Sequence, residues 1–270
     1  MYRYINILSL DVVAGACICS MFLADFFETD LHWATTLLLG ICVWLIYTFD
    51  HLNDARNIPH MASTERHRFH QKNFKWLTVI CILMLLAAAF LVFTIPGETV
   101  MWGVALSCFV LGYFLMLYLL RLKSSYHKEI TIAILYSVGI LLPALSIAQG
   151  FDVRDVSIVF VQFVMLAFTN LLTFAVYEID SDERDFSPSL VRILGVDHSH
   201  GLLKVVVTFQ IVLSLILLNV SRFFELEMIL LPMITLMGSV VFFRRFYIRV
   251  SLYRLVGDAV FCMPLFAILI

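Results

Sequence analysis

Long apolar stretches, separated by polar connections, run from one end of this 270-residue chain to the other. A helix that crosses a bilayer needs about 20 consecutive, mostly apolar residues. Nine stretches approach that length: 5–24, 33–49, 76–95, 99–120, 130–149, 156–177, 203–220, 226–243 and 252–270. Hydrophobic residues make up 62% of the chain and charged residues 14%, whereas soluble domains are about 50% apolar. The sequence therefore predicts an all-α, polytopic membrane bundle of about nine transmembrane helices.

The polar connections are too short to hold a soluble domain, so we interpret residues 1–270 as a single transmembrane domain. A net charge of -2 provides no electrostatic basis for binding nucleic acid. The six cysteines all lie in apolar stretches and form no CxxC pair, which favours a packing role for them.

The positions of Lys and Arg predict the orientation of the chain, because these residues are retained on the cytosolic side of a membrane. With the N-terminus in the cytosol, sixteen of the eighteen Lys and Arg residues are cytosolic, and only Arg154 and Arg222 are outside. We therefore expect an integral, multi-pass protein whose functional side faces the cytosol. The default location for such a chain is the inner (plasma) membrane of a bacterium.

Two acidic clusters end the second and the sixth predicted spans, both on the cytosolic side. In the first, Asp50 and Asp54 are four residues apart, so on a continuing helix both carboxylates project from one face. In the second, Glu178 and Asp182 repeat this spacing. Like charges four residues apart destabilise a helix by roughly 0.2–0.5 kcal/mol per pair. Two such pairs predict a counter-charge, unless they are solvated helix ends.

A hard cation suits these carboxylates, because Mg²⁺ binds through one or two carboxylates together with substrate phosphates and water. Basic residues also lie near the two clusters: Arg66, Arg68, Lys123, Lys128, Arg184 and Arg192. Each base alone is explained by its role in holding the topology. Metal ions and bases together describe a site for a polyanion. Diphosphate is the natural candidate, since both would stabilise the charge on a departing diphosphate.

The spans and the acidic clusters together resemble the UbiA-type intramembrane prenyltransferases. That family has nine spans, with an acidic DxxxD pair after the second and another after the sixth. The segment YEIDSDERDFSPSLVRILG is similar to the second family motif, with approximate matches at Ser189, Leu190, Arg192, Leu194 and Gly195. The segment YLLRLKSSYHK, which contains Tyr118 and Lys123, resembles the basic loop that the family places between its fourth and fifth helices.

The first family motif, NDxxDxxxD, matches this chain in two registers. When Asp50 and Asp54 are the last two acids, Ile46 and Tyr47 occupy the opening positions. A register that starts at Asn53 and Asp54 instead puts Asn57 and Met61 at the later acids. We favour the first register because it keeps both carboxylates.

The resemblance implies a Mg²⁺-dependent transfer of an isoprenyl group from a prenyl diphosphate to a lipophilic acceptor, either an aromatic ring or an alcohol, within the membrane. It implies metal-binding, catalytic roles for Asp50, Asp54, Glu178 and Asp182, with Asp185 as a further metal ligand. It implies diphosphate binding by Arg66, Lys123 and Arg192. The implied partners are the prenyl diphosphate, the acceptor and membrane lipid. The acceptor, the length of the prenyl chain and the oligomeric state stay open.

Other side chains near the motifs carry weaker expectations. An allylic cation would be stabilised by aromatic faces, for which the candidates are Tyr47, Phe49, Phe174 and Tyr177. Two acidic residues, Asp11 and Asp258, fall within predicted spans. We interpret them as partners of Arg3 and Arg254; the alternative is that they line the site.

Three other functions are compatible with parts of the sequence. Seven of the eight histidines are predicted to be cytosolic, as in di-iron membrane oxidases, although no HxxHH pattern occurs. A transporter would use its acidic residues for ions, but such sites lie near the middle of the bilayer rather than at its edge. The third alternative is a catalytically silent UbiA-like protein that binds lipid.

Overall fold

The computed structural model describes residues 2–119, 127–185, 189–250 and 252–269, and these residues contain α-helices and 3₁₀ turns but no β-strand. The α-helices are, in chain order, α1 (Tyr2–Ile7), α2 (Leu10–Phe26), α3 (Trp33–Asn57), α4 (Glu65–Lys72), α5 (Phe74–Leu91), α6 (Gly97–Leu119), α7 (Lys128–Ile147), α8 (Val153–Tyr177), α9 (Ile179–Arg184), α10 (Leu190–Leu194), α11 (Val196–Leu217), α12 (Phe224–Phe242), α13 (Arg244–Val250), α14 (Tyr253–Ala259) and α15 (Leu265–Ile268).

Each predicted span has a helical counterpart. In the described part of the chain, six helices are long and apolar enough to cross a membrane: α3, α5, α7, α8, α11 and α12, with α5 and α12 extended by adjoining 3₁₀ turns. Helix α2 has 17 residues, and a 3₁₀ turn at Val260–Cys262 divides the C-terminal span into α14 and α15. The predicted helical membrane bundle is confirmed, while the count of nine spans stays a prediction.

Helix α8 is central to the bundle, where it packs against α7, α11, α12 and α14. The Asp152 carboxylate accepts a hydrogen bond from the Arg154 backbone N–H at 2.8 Å and so caps the start of the helix. Its fully buried residues include Val159, Phe163 and Leu172. Burial on several sides is expected for a helix inside such a bundle.

Charged contacts gather at the two ends of the bundle. At one end, Arg222 lies 3.3 Å from Glu28 and 3.4 Å from Asp155. At the other end, Arg3 of α1 pairs with Glu65 of α4. These are the two sets of connections that the charge pattern places on opposite sides of the membrane. Which end faces the cytosol stays a prediction.

The close packing of α14 against α8 predicts the effect of enlarging Gly257. A Cβ atom at this position would lie 2.6 Å from the Asn170 Oδ1 atom and 2.7 Å from the Phe174 ring. We expect Gly257→Ala to separate the two helices and to cost about 1–3 kcal/mol of stability, measured as a lower thermal midpoint in detergent. Gly139→Ala is the matched control, because a Cβ atom there meets nothing within 4 Å. Equal midpoints for the two variants would contradict this expectation.

Candidate active site

A cavity of about 260 Å³ lies at the end of the bundle where the two acidic clusters meet. Its polar wall carries Asp50, Asp54, Arg66, Lys128, Glu178, Asp182 and Arg254. The wall also has apolar and aromatic side chains, among them Ile132, Leu171, Phe174 and Phe261. The fold therefore brings together side chains from α3, α4, α7, α8, α9 and α14.

The first acidic cluster has a counter-charge from within the chain. Helix α3 continues to Asn57, so Asp50 and Asp54 share one face and both line the cavity, as predicted. The Lys128 Nζ atom lies 3.3 Å from Asp50 Oδ1 and 3.6 Å from Asp54 Oδ2. Asn53 is exposed, which supports the motif register that keeps both carboxylates.

The second acidic cluster lies where α8 ends and α9 begins. The Asp182 backbone N–H still donates to the Glu178 carbonyl at 2.9 Å, so both side chains reach the cavity. Arg254 donates to both carboxylate oxygens of Glu178, and the Tyr253 hydroxyl donates to Oε1 at 2.9 Å. Burial raises the pKa of the Glu178 carboxyl, but the adjacent Arg254 guanidinium outweighs burial and holds this pKa below its ordinary value.

Asp182 has different surroundings from Glu178, the other carboxyl of this cluster. Burial and the adjacent Glu178 carboxylate raise the pKa of Asp182 to about 7. A cation near such a carboxyl favours its charged form. Of the two carboxyls in this cluster, Asp182 is therefore the one that needs additional positive charge.

Arg66 reaches the cavity from α4, as predicted. Its Nη2 atom donates to the backbone carbonyl and to the side-chain Oδ1 of Asn6, at 3.1 and 3.2 Å. Burial and the nearby Arg254 charge lower the pKa of Arg66 to about 10. The buried Nε atom has no hydrogen-bond partner among the described residues. Because an unsatisfied buried donor is costly, the Arg66 guanidinium has capacity for a further acceptor.

Three further residues were predicted to belong to the site: Lys123, Arg192 and Asp185. Lys123 belongs to residues 120–126, which lie outside the described residues. Arg192 is exposed on α10. Asp185 is buried, and both of its carboxylate oxygens lie 2.9 Å from the Ser63 backbone N–H. The roles of these residues in diphosphate or metal binding stay predictions.

Asp185 anchors residues 58–64, which lead into α4. Removal of its side chain should increase the mobility of that segment. Burial raises the pKa of the Asp185 carboxyl, but hydrogen bonds from Ser63 outweigh burial and lower this pKa. Since hydrogen bonds to charged groups contribute about 1.5–3 kcal/mol, we expect Asp185→Ala to lose roughly that much stability. Hydrogen exchange in residues 58–64 should accelerate. Asp180→Ala, at an exposed position of α9, is the control, and equal exchange in both variants would contradict the anchoring role.

Aromatic side chains divide between the cavity and the rest of the bundle. Tyr47 and Phe174 line the cavity, whereas Phe49 is exposed. Tyr177 instead donates its hydroxyl to the Val240 carbonyl at 2.7 Å. Three aromatic cavity residues, Tyr113, Tyr136 and Phe261, were not predicted, because they lie far in sequence from both acidic clusters.

The expected pairings of Asp11 and Asp258 are wrong. The Asn6 Nδ2 atom donates to both carboxylates, at 2.8 and 3.0 Å, and Arg254 pairs with Glu178 instead. The physical reason is that α1 and α14 both pack against α2, so that the Asn6 amide reaches both acids. Asp258 also lines the cavity, as the alternative interpretation had it.

The carboxylates that line the cavity are not equally available to bind Mg²⁺. No group of three or more His, Cys, Asp or Glu side chains that could hold a metal ion occurs in the described ranges. Mg²⁺ needs fewer protein ligands than that, since it binds one or two carboxylates and completes its coordination shell with phosphate and water. Asp50, Asp54 and Asp182 present hard oxygen donors to the cavity and fit this ion. Glu178 already accepts hydrogen bonds at both oxygens.

The chain shares its fold with a solved structure from a study of digeranylgeranylglyceryl phosphate synthase in membranes. The two superpose with a TM-score of 0.53 over 96% of this chain and 95% of the other, at 15% sequence identity. That synthase is a UbiA-type prenyltransferase. No protein-family model and no curated protein matches this chain. The membrane-embedded helical fold expected from the family resemblance is therefore confirmed.

Proposed function

We propose that this protein transfers an isoprenyl group from a prenyl diphosphate to a lipophilic acceptor within the membrane, with Mg²⁺ as cofactor. One observation carries the proposal. Carboxylates from α3 and from the α8–α9 junction line the same cavity together with Arg66 and Lys128, and apolar and aromatic side chains line another part of it. A substrate with a diphosphate at one end and a hydrocarbon chain at the other matches this division.

The charges at the polar end support a role for a divalent cation. Among the described cavity residues, six carboxylates face three Lys or Arg side chains. A diphosphate would add further negative charge, and buried charge without compensation is strongly unfavourable. Bound Mg²⁺ would offset this charge and stabilise the diphosphate as a leaving group.

The residues of the chain would divide the remaining tasks. Asp50 and Asp54 would hold the metal ion, and Asp182 lines the same cavity. Arg66, with its unsatisfied Nε donor, and Lys128 would bind the phosphate oxygens as negative charge develops on them. The faces of Tyr47 and Phe174 would stabilise the allylic cation that remains when the carbon–oxygen bond breaks.

The hydrocarbon chain and the acceptor would occupy the apolar side. The cavity of about 260 Å³ is smaller than most ligand pockets, which hold about 300–1,000 Å³. We therefore expect a long isoprenyl chain to continue between the helices toward the lipid. The acceptor would arrive from the same lipid phase.

One observation favours a second candidate, the catalytically silent lipid-binding protein. Lys128 and Arg254 already neutralise part of each acidic cluster, so a prenyl diphosphate would have to bind among preformed ion pairs. Turnover separates the two functions, because only the enzyme releases diphosphate.

The experiment is a diphosphate-release assay with the purified protein in lipid nanodiscs. Geranyl, farnesyl and geranylgeranyl diphosphates are supplied with Mg²⁺ or with EDTA, in the presence of a lipid extract as a source of acceptor. We expect release that requires Mg²⁺ with at least one donor. Binding of a donor without release would favour the silent lipid-binding protein, and neither binding nor release would reject both candidates.

A further inference from the structure

We propose that Arg254 supplies, at the second acidic cluster, the positive charge that a second metal ion would otherwise supply, so that each chain binds one Mg²⁺. This proposal rests on the proposed function and deepens it. It assigns Arg254 to the binding of the leaving diphosphate, and it assigns Glu178 to positioning Arg254 rather than to metal binding.

Glu178 has its acceptor oxygens occupied by the protein. Oε1 accepts from the Tyr253 hydroxyl at 2.9 Å and from the Arg254 Nε atom. Oε2 accepts from the Arg254 Nη2 atom. A bidentate pair between guanidinium and carboxylate is among the strong, directional contacts in proteins. A metal ion that bound Glu178 would have to break it and leave a guanidinium without its partner, which is costly in a partly buried site.

Arg254 is also held by aromatic contacts. Its guanidinium carbon lies 5.2 Å from the centre of the Phe174 ring, within the range of a cation–π contact. The adjacent Tyr253 ring stacks on Tyr177 with centroids 4.5 Å apart. The side chain of Arg254 is 26% exposed, and it lines the cavity. It is therefore a cation of fixed position at the wall of the site.

The guanidinium keeps donors for a ligand. The hydrogen bonds to Glu178 use Nε and Nη2, and none of the hydrogen bonds found in the described ranges uses Nη1. A planar guanidinium with free N–H groups binds phosphate oxygens as readily as it binds carboxylates. Arg254 can therefore retain Glu178 on one edge and bind a diphosphate oxygen on the other.

In the first acidic cluster, unlike at Glu178, the carboxylates keep acceptor capacity for a metal ion. One ammonium group, that of Lys128, is shared between Asp50 at 3.3 Å and Asp54 at 3.6 Å. A single point charge leaves acceptor capacity on both carboxylates. Asp182, which has no Arg254 contact of its own among the described hydrogen bonds, lies across the same cavity. Asp50 and Asp54 are sufficient for one ion that also takes phosphate and water ligands.

Counting bound Mn²⁺ tests the assignment without relying on activity. Mn²⁺ replaces Mg²⁺ in electron paramagnetic resonance titrations of the protein in nanodiscs, with geranyl thiolodiphosphate as a donor analogue that is not cleaved. We expect one Mn²⁺ per wild-type chain. Arg254→Gln should free Glu178, and either a second Mn²⁺ binds or the affinity for the analogue falls at least tenfold. Arg254→Lys should keep one Mn²⁺ per chain.

The outcomes separate this inference from the proposed function. Two Mn²⁺ ions per wild-type chain would overturn the role of Arg254 while leaving prenyl transfer intact, and this count needs no variant. One Mn²⁺ and unchanged analogue affinity in a folded Arg254→Gln protein would also overturn it. Binding of neither Mn²⁺ nor the analogue by the wild-type protein would reject the proposed function itself. Arg245→Gln, at an exposed position of α13, should behave as the wild type.

Discussion

Asp54→Asn and Asp182→Asn should each lower Mg²⁺-dependent diphosphate release by about 100-fold or more, the effect expected when a group that binds a catalytic metal or a developing charge is lost. Both substitutions keep the size of the side chain and remove its charge. The two residues belong to α3 and α9 and face one cavity. Large losses at both positions would mean that the two clusters act on the same diphosphate.

The measurement is single-turnover release at a donor concentration that saturates the wild-type protein. Asp180→Asn is the matched control, because Asp180 belongs to the same short helix as Asp182 but is exposed and is not among the cavity residues. It should retain the wild-type rate. A near-wild-type rate in Asp182→Asn would show that only the first acidic cluster takes part in the reaction.

Lys128→Met should destabilise the protein and make its stability depend on Mg²⁺. Removal of one partner from a buried ion pair costs about 3–5 kcal/mol. Lys128 and Asp50 each have side chains that are 23% exposed, so we expect a smaller loss, about 2–3 kcal/mol. The carboxylates of Asp50 and Asp54 would then face each other without a counter-charge, and added Mg²⁺ should restore part of the lost stability.

The thermal midpoint in nanodiscs, measured with and without Mg²⁺, tests this expectation. The double variant Lys128→Met/Asp50→Asn should recover stability without Mg²⁺, because it removes the repulsion between the two carboxylates. An unchanged midpoint in Lys128→Met, or no response of that variant to Mg²⁺, would contradict the view that this cluster needs a cation.

The helical bundle and the two acidic clusters could be predicted because each depends on local sequence. Apolar stretches of membrane length are read directly from the chain. Asp50 and Asp54 meet on one face because their spacing matches the helical repeat. The meeting of this pair with Asp182 was predicted from the bases near both clusters and from the family resemblance, and the structure places the two clusters at one cavity.

Partners that come from distant parts of the chain could not be predicted. Arg254 pairs with Glu178 because α14 packs beside α8, and no local pattern identifies that neighbour. Lys128 and Lys123 are bases of one connection in the sequence, and only the start of α7 places Lys128 between the two aspartates. Asp185 looks like another motif acid, yet its position directly after α9 brings it to the Ser63 backbone.

Transfer of a labelled isoprenyl group tests the central claim most directly. The protein in nanodiscs is incubated with Mg²⁺, a lipid extract and a prenyl diphosphate that carries a radioactive label in its hydrocarbon chain. The products are then separated and weighed by mass spectrometry. We predict that the label enters an apolar product whose mass is that of an acceptor plus one isoprenyl group minus one hydrogen, and that EDTA prevents its formation. Label that stays in the diphosphate, or that appears only as free prenol with or without Mg²⁺, would contradict the assignment as a prenyltransferase.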